Sequence, residues 1–117
     1  MGKRAAPQPG EAVSPIIAAR GGGQGWEIQI SNTDGYAHRV ELIRDHGPPG
    51  GGVAIFQPSG DASNAHMLLR GTIGAQELSI ELLRQSCTSD NGVAHEHALI
   101  VTVGVMSPMR GCGDLAI

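Results

Sequence analysis

The chain has 117 residues, which is the size of one ordinary domain, and a formal net charge of -3. A net negative charge argues against nonspecific nucleic-acid binding, which requires a basic surface. The chain contains no run of about 18 apolar residues, so no membrane-spanning helix is predicted. The chain contains one Trp, one Tyr and one Phe, but 18 glycines. The core must therefore consist of Ile, Leu, Val, Met and Ala, and many turns are expected.

Residues 1–14 hold two prolines, several alanines and both signs of charge, without an apolar period. This composition predicts a disordered N-terminal tether, followed by a single β-barrel domain over residues 15–117. The glycine-rich stretch 21–25 is predicted to be a flexible entry to the first strand. It lacks the Lys and Ser/Thr that follow in a phosphate-binding loop.

From Trp26 onward, apolar and polar residues alternate with period two, as in half-buried strands. The alternation and the turn signals between segments predict strands over residues 26–31, 36–44, 53–57, 66–73 and 78–83. For the last of these a helix over residues 75–84 competes, because Leu and Glu are helix formers. Turn signals every 8 to 12 residues favour the strand.

Residues 98–105, rich in Val and Ile, form the strongest predicted strand, and residues 109–112 return after the turn at Ser107 and Pro108. Seven or eight short strands without a clear helix predict an all-β antiparallel meander, folded as a small barrel or a sandwich. The barrel is favoured because closure removes exposed strand edges.

Two cysteines, Cys87 and Cys112, flank this strongest strand, with Cys87 expected at the end of one strand and Cys112 at the end of the return strand. In a meander these ends can lie side by side, within reach of one disulfide. The alternative is two buried free thiols, and the CxxC spacing of many metal sites is absent. A disulfide requires an oxidising compartment, so the bridge and an extracytoplasmic location are predicted together.

Three short segments are similar to motifs of one protein family: ARGGGQGW at residues 19–26, CTSDNG at 87–92 and RGCG at 110–113. They resemble the G-x-E-P-x-W entry, the C-S-D-G-M-S-D loop and the closing G-C signature of uncharacterised bacterial envelope proteins. Many of these are lipoproteins, and some are grouped with META/HslJ-like domains. Here Gly23 and Gln24 replace the Glu-Pro of the entry, and the loop ends in Val93, Ala94 and His95.

The resemblance implies a small β-barrel, a Cys87–Cys112 bridge and an export signal upstream of Met1. It also implies a periplasmic or outer-membrane-anchored protein, with a lipid anchor attached upstream. No enzyme activity follows from it, because the family has no established one.

The triplet His95-Glu96-His97 is the most suggestive group for chemistry. On a strand, His95 and His97 would project from the same face, as in a two-imidazole metal site. A third ligand would come from elsewhere in the chain: His38, His46, His66 or Asp90. The alternative is a pair of histidines on the solvent-facing side of a strand.

Ser89 and Asp90 lie near His95 in sequence, but no Gly-x-Ser-x-Gly elbow is present, so turn formation is favoured over catalysis. Trp26 is either a core residue at the end of the barrel or a ligand-stacking surface. Trp26 and Asp90 are the candidate contacts for a ligand or partner.

The sequence therefore predicts a noncatalytic, monomeric envelope domain without a cofactor, which binds a small ligand or a partner protein or has a structural role. An interior poor in aromatic residues favours a filled core, so binding is expected on the surface. The alternative function is metal binding through His95 and His97.

Overall fold

The computed structural model describes residues 14–45, 50–58, 65–89 and 91–116. These residues form ten β-strands: β1 (Ala18–Gly23), β2 (Trp26–Asp34), β3 (Ala37–Arg44), β4 (Gly50–Phe56), β5 (His66–Ile73), β6 (Gln76–Leu83), β7 (Cys87–Thr88), β8 (Ala94–His95), β9 (His97–Val103) and β10 (Met109–Ala116). Within the described ranges no helix is long and apolar enough to cross a membrane. The predicted tether, residues 1–14, lies outside them except for Ser14.

Eight of the strands close into an antiparallel barrel in the order β1-β10-β9-β6-β5-β4-β3-β2. Each barrel strand pairs with the barrel strands before and after it in the chain, and β1 pairs with β10 to close the ring. The predicted all-β meander barrel is confirmed. Residues 76–83 form β6, so the strand was the correct choice over the helix.

The barrel interior is filled by alternate residues of the strands. Every second residue is buried throughout β9, in the middle of β3 and in the first five residues of β2, as the period-two pattern predicts. An eight-stranded barrel is just wide enough for its own side chains to fill. The buried cluster consists of these residues: Ile16, Ala19, Trp26, Ile28, Ile30, Val40, Leu42, Ala54, Phe56, Met67, Leu69, Ile73, Leu78, Ile80, Leu82, Leu99, Val101 and Val103.

Residues 21–23, predicted to be a flexible entry, instead complete β1, and this prediction was wrong. We call the glycines of the β1–β10 pair the glycine seam: Gly21, Gly22, Gly23, Gly111 and Gly113. A Cβ on Gly111 would lie 2.2 Å from the carbonyl oxygen of Gly22 and 2.9 Å from Cζ2 of Trp26. The missing side chains let the two strands close over the indole.

The Cys87–Cys112 disulfide is present, with a Cα–Cα distance of 5.5 Å and a sequence separation of 25. Its position differs from the prediction. Cys87 begins β7, which pairs only with β8 in a separate two-stranded sheet, and Cys112 lies in the middle of β10. Because Gly111 and Gly113 contact core residues, alternation points Cys112 outward. The bridge therefore ties the inserted β7–β8 hairpin to the outer wall, and it is compatible with an oxidising extracytoplasmic compartment.

Candidate ligand-binding groove

A groove of about 1140 Å³ lies on the outside of the barrel, between the glycine seam and the β7–β8 hairpin. Ligand sites commonly measure about 300–1,000 Å³, so the groove has room for a small organic molecule. It exists because β10 pairs with β1 on one side while Cys112 holds the hairpin above the same strand.

The floor of the groove is apolar and partly bare backbone. Gly22 and Cys112 are cross-strand partners on the outer side, and Gly22 has no side chain to cover the strand. Ala98 and Ile100 continue the floor on β9, where they alternate with buried Leu99. These residues offer a flat surface to an apolar ligand group.

The rim of the groove carries charges of both signs. Arg20 on β1 is the cross-strand partner of Asp114 on β10, while Arg110 and Glu27 lie further along the seam. All four residues are exposed. Two cations and two anions produce no strong field of one sign, so the rim suits directional hydrogen bonds to a polar ligand more than attraction of a highly charged one.

The β7–β8 hairpin forms the wall of the groove. Its tip is held by Ser89, whose N–H donates to the Val93 carbonyl at 2.9 Å and whose carbonyl accepts from the Gly92 N–H at 2.9 Å. The Ser89 hydroxyl donates to the Val93 carbonyl at 3.1 Å and also bonds the side chain of Asn91. The hydroxyl therefore serves the turn. Asp90, the other predicted turn residue and a predicted ligand contact, lies outside the described residues.

The two histidines of the predicted metal site lie on different strands. His95 ends β8, and its Nδ1 lies 2.9 Å from Oδ2 of Asp114. His97 begins β9 and is only 7% exposed, on the buried side of that strand, and its Nδ1 has no hydrogen-bond partner among the described residues. The exposed Glu96 separates the two strands. The geometry behind the metal prediction, one face of one strand, is not found.

Other predicted metal ligands do not complete a site within the described ranges, where no group of three His, Cys, Asp or Glu side chains is placed to hold a metal ion. His38 lies inside the barrel, and His66 pairs with Glu81 at 3.0 Å on the outer side of β5. His46 and Asp90 are outside the described residues.

Of the two roles predicted for Trp26, a core residue or a ligand-stacking surface, the structure shows the core residue. It is 8% exposed, and its Nε1 lies 2.7 Å from the point where a Cβ on Gly23 would be. The indole belongs to the buried core cluster and lies directly under the glycine seam. Trp26 therefore supports the floor and offers no open stacking surface.

A buried pair between Ser14 and His38 has no recognisable sequence pattern and was not predicted. Nε2 of His38 lies 2.7 Å from the Ser14 hydroxyl, and its Nδ1 lies 3.2 Å from the Ala54 carbonyl. Because a carbonyl only accepts, Nδ1 carries hydrogen and, in the neutral ring, the hydroxyl donates to Nε2. Both residues are buried, so this arrangement pins the segment before β1 to the barrel.

Arg20 and Arg110 were also missed, because single arginines among glycines have no distinctive spacing. They become neighbours of one groove only through the β1–β10 register. No protein-family model, curated protein or solved structure matches this chain.

Proposed function

We propose that this chain is a noncatalytic binding domain that holds a small organic ligand in the groove between the glycine seam and the β7–β8 hairpin. The observation that carries the proposal is the groove itself, with its apolar floor, a rim of both charges and a volume of about 1140 Å³. A few polar groups around an apolar surface are typical of small-molecule sites.

The packing of the interior supports an external site. Ligand-binding barrels such as lipocalins keep space inside, whereas the cluster around Ile28, Leu69 and Leu99 occupies this barrel. The expectation that a small aromatic-poor barrel binds at its surface agrees with this packing.

We also propose that the domain is not an enzyme. The environments of two serine hydroxyls support this part of the proposal. The Ser89 hydroxyl is engaged in its own turn, and the Ser14 hydroxyl is buried against His38. A nucleophile must be reachable by substrate and stand beside a base, and neither serine meets both conditions.

The proposed compartment is the bacterial periplasm or the outer-membrane surface. The Cys87–Cys112 bridge supports an oxidising location, and the similarity to envelope lipoproteins supports an export signal and a lipid anchor upstream. We propose that the protein is a monomer, so that no second copy covers the groove.

A fragment screen observed by protein NMR tests the proposal. Binding is expected to shift the amides of Gly22, Ala98 and Arg110 together. The variant Ala98→Phe places a ring on the groove floor and should abolish these shifts. Ala37→Phe, a similarly half-buried outward position on β3, should leave them unchanged.

The proposal is refuted if no fragment perturbs these amides, or if bound fragments map to the barrel ends. It is equally refuted if Ala98→Phe and Ala37→Phe have the same effect on binding.

A further inference from the structure

The β7–β8 hairpin has little structure of its own to hold it in place. Among the described residues, its strands are joined by two residue pairs, Cys87 with His95 and Thr88 with Ala94. Even a complete two-stranded hairpin is marginally stable in water. Its position over the groove therefore depends on its attachments to the barrel.

Among the described residues, two side-chain attachments hold the hairpin, and both are to β10. One is the Cys87–Cys112 disulfide, and the other is the hydrogen bond between His95 and Asp114 at 2.9 Å. Asp114 is 57% exposed, and water and salt weaken a surface pair of this kind. The disulfide is therefore the dominant attachment.

The barrel ring closes without the hairpin. β6 pairs directly with β9, from Leu78 opposite Val103 to Leu83 opposite Ala98. The buried core cluster takes none of its members from the described residues between β6 and β9. Moving the hairpin away breaks no barrel strand pair.

From these contacts we propose that the hairpin is a redox-released lid. Reduction of Cys87–Cys112 frees it from the wall and opens the groove while the eight-stranded barrel stays folded. The importance of this lid for ligand binding rests on the proposed function, since the hairpin supplies one wall of that site.

The chemistry is thiol–disulfide exchange with a dithiol reductant. Cys87 is partly exposed, whereas Cys112 is 5% exposed, so the reductant thiolate attacks Sγ of Cys87. The S–S bond breaks and Cys112 leaves as a thiolate, which takes up a proton. The second reductant thiol then displaces Cys87, leaving two protein thiols and an oxidised, disulfide-bonded reductant. Two electrons and two protons pass to the protein.

Amide hydrogen exchange before and after treatment with dithiothreitol tests the lid. The amides of Ser89 and Gly92, hydrogen-bonded in the hairpin, should exchange at least about tenfold faster after reduction, while those of β9 keep their protection. The double variant Cys87→Ser with Cys112→Ser should behave like the reduced protein without any reductant.

Unchanged exchange at Ser89 and Gly92 after reduction would overturn the proposal, because the hairpin would then be held without the bridge. If the whole chain unfolds on reduction, the measurement is repeated with trimethylamine N-oxide, which favours compact states. A barrel that regains protection while the hairpin stays open supports the lid. Protection returning to both together refutes it.

A second pair of variants tests whether the weaker attachment, the His95–Asp114 hydrogen bond, also holds the hairpin on the barrel. His95→Ala removes one partner of Asp114, and His66→Ala removes the comparable histidine–carboxylate contact with Glu81 between β5 and β6. In the reduced protein, His95→Ala should accelerate hairpin exchange further and His66→Ala should not. Equal effects of the two would contradict the assignment.

These measurements need no ligand, so they separate the two proposals. A hairpin that opens in a protein that binds no fragment supports the lid and refutes the binding function. A hairpin that stays closed in a protein whose groove binds fragments does the reverse.

Discussion

Replacing Gly111 by Ala should destabilise the barrel strongly, because the seam has no room for a methyl group. The added Cβ would lie 2.2 Å from the Gly22 carbonyl oxygen, 2.6 Å from its carbonyl carbon and 2.9 Å from Cζ2 of Trp26. Two of these atoms belong to the paired backbone of β1, which cannot rotate away as a side chain can. β1 and β10 must therefore separate, or the indole must leave its position.

The size of the effect follows from measured costs of overpacking. One extra methylene in a tight core typically costs about 1–3 kcal/mol, and a clash with backbone belongs at the upper end. We expect the free energy of unfolding to fall by about 3 kcal/mol for Gly111→Ala. For a domain of this size, that corresponds to a melting temperature lower by roughly 12–24 °C.

Gly51→Ala is the matched control within a barrel strand. The nearest atom to its added Cβ is the Val40 carbonyl oxygen, 3.9 Å away, and the site is exposed. This change should be neutral or should stabilise by up to about 1 kcal/mol, because Ala restricts the unfolded chain. Urea unfolding followed by Trp26 fluorescence measures both variants. A cost below about 1 kcal/mol for Gly111→Ala, or equal costs for the two changes, would refute this account of the seam.

Three further predictions concern the bridge, the buried pair and the metal. Joint replacement of Cys87 and Cys112 by Ser should lower the free energy of unfolding by about 3.5 kcal/mol, the chain-entropy value for a closed loop of 25 residues; denaturant titration showing less than about 1 kcal/mol would contradict it. Ser14→Ala should cost about 1–3 kcal/mol in the same assay, because Nε2 of buried His38 loses its partner, whereas exposed Ser107→Ala should stay within about 0.5 kcal/mol. Zinc titration followed by histidine NMR should show no joint shift of the His95 and His97 imidazoles, since His97 is buried on the core side of β9 while His95 lies outside the barrel against Asp114. A saturable shift of both imidazoles would restore the predicted site.

Strands in which apolar and polar residues alternate were predictable from the sequence. Strands whose residues are determined by contacts with distant parts of the chain were not. Alternate positions carry Ile28 and Ile30 after Trp26 in β2, and Leu99, Val101 and Val103 in β9, and the barrel follows from several such segments joined by turns. β1 reads AARGGG, which has no period and a low strand propensity. Its glycines are required by the close approach of β10 and Trp26, which no local pattern reveals.

The candidate site was less predictable than the fold. The cysteine pairing could be inferred, but a hairpin of two residue pairs has too few residues to show alternation, so β7 and β8 were not foreseen. The same limit explains the histidine error, because the chain changes strand at Glu96. Arg20 and Arg110 share a groove only through the register that closes the barrel.

The direct pairing of Leu83 with Ala98 has a practical consequence for protein engineering. The connection between these residues leaves β6 and returns in the neighbouring β9. The geometry of the barrel therefore does not restrict the length or composition of this connection. Lengthening a surface connection costs only about 0.6 kcal/mol per doubling. A foreign peptide could accordingly be inserted in this connection and displayed on the scaffold, with the Cys87–Cys112 disulfide retained to anchor it to the barrel.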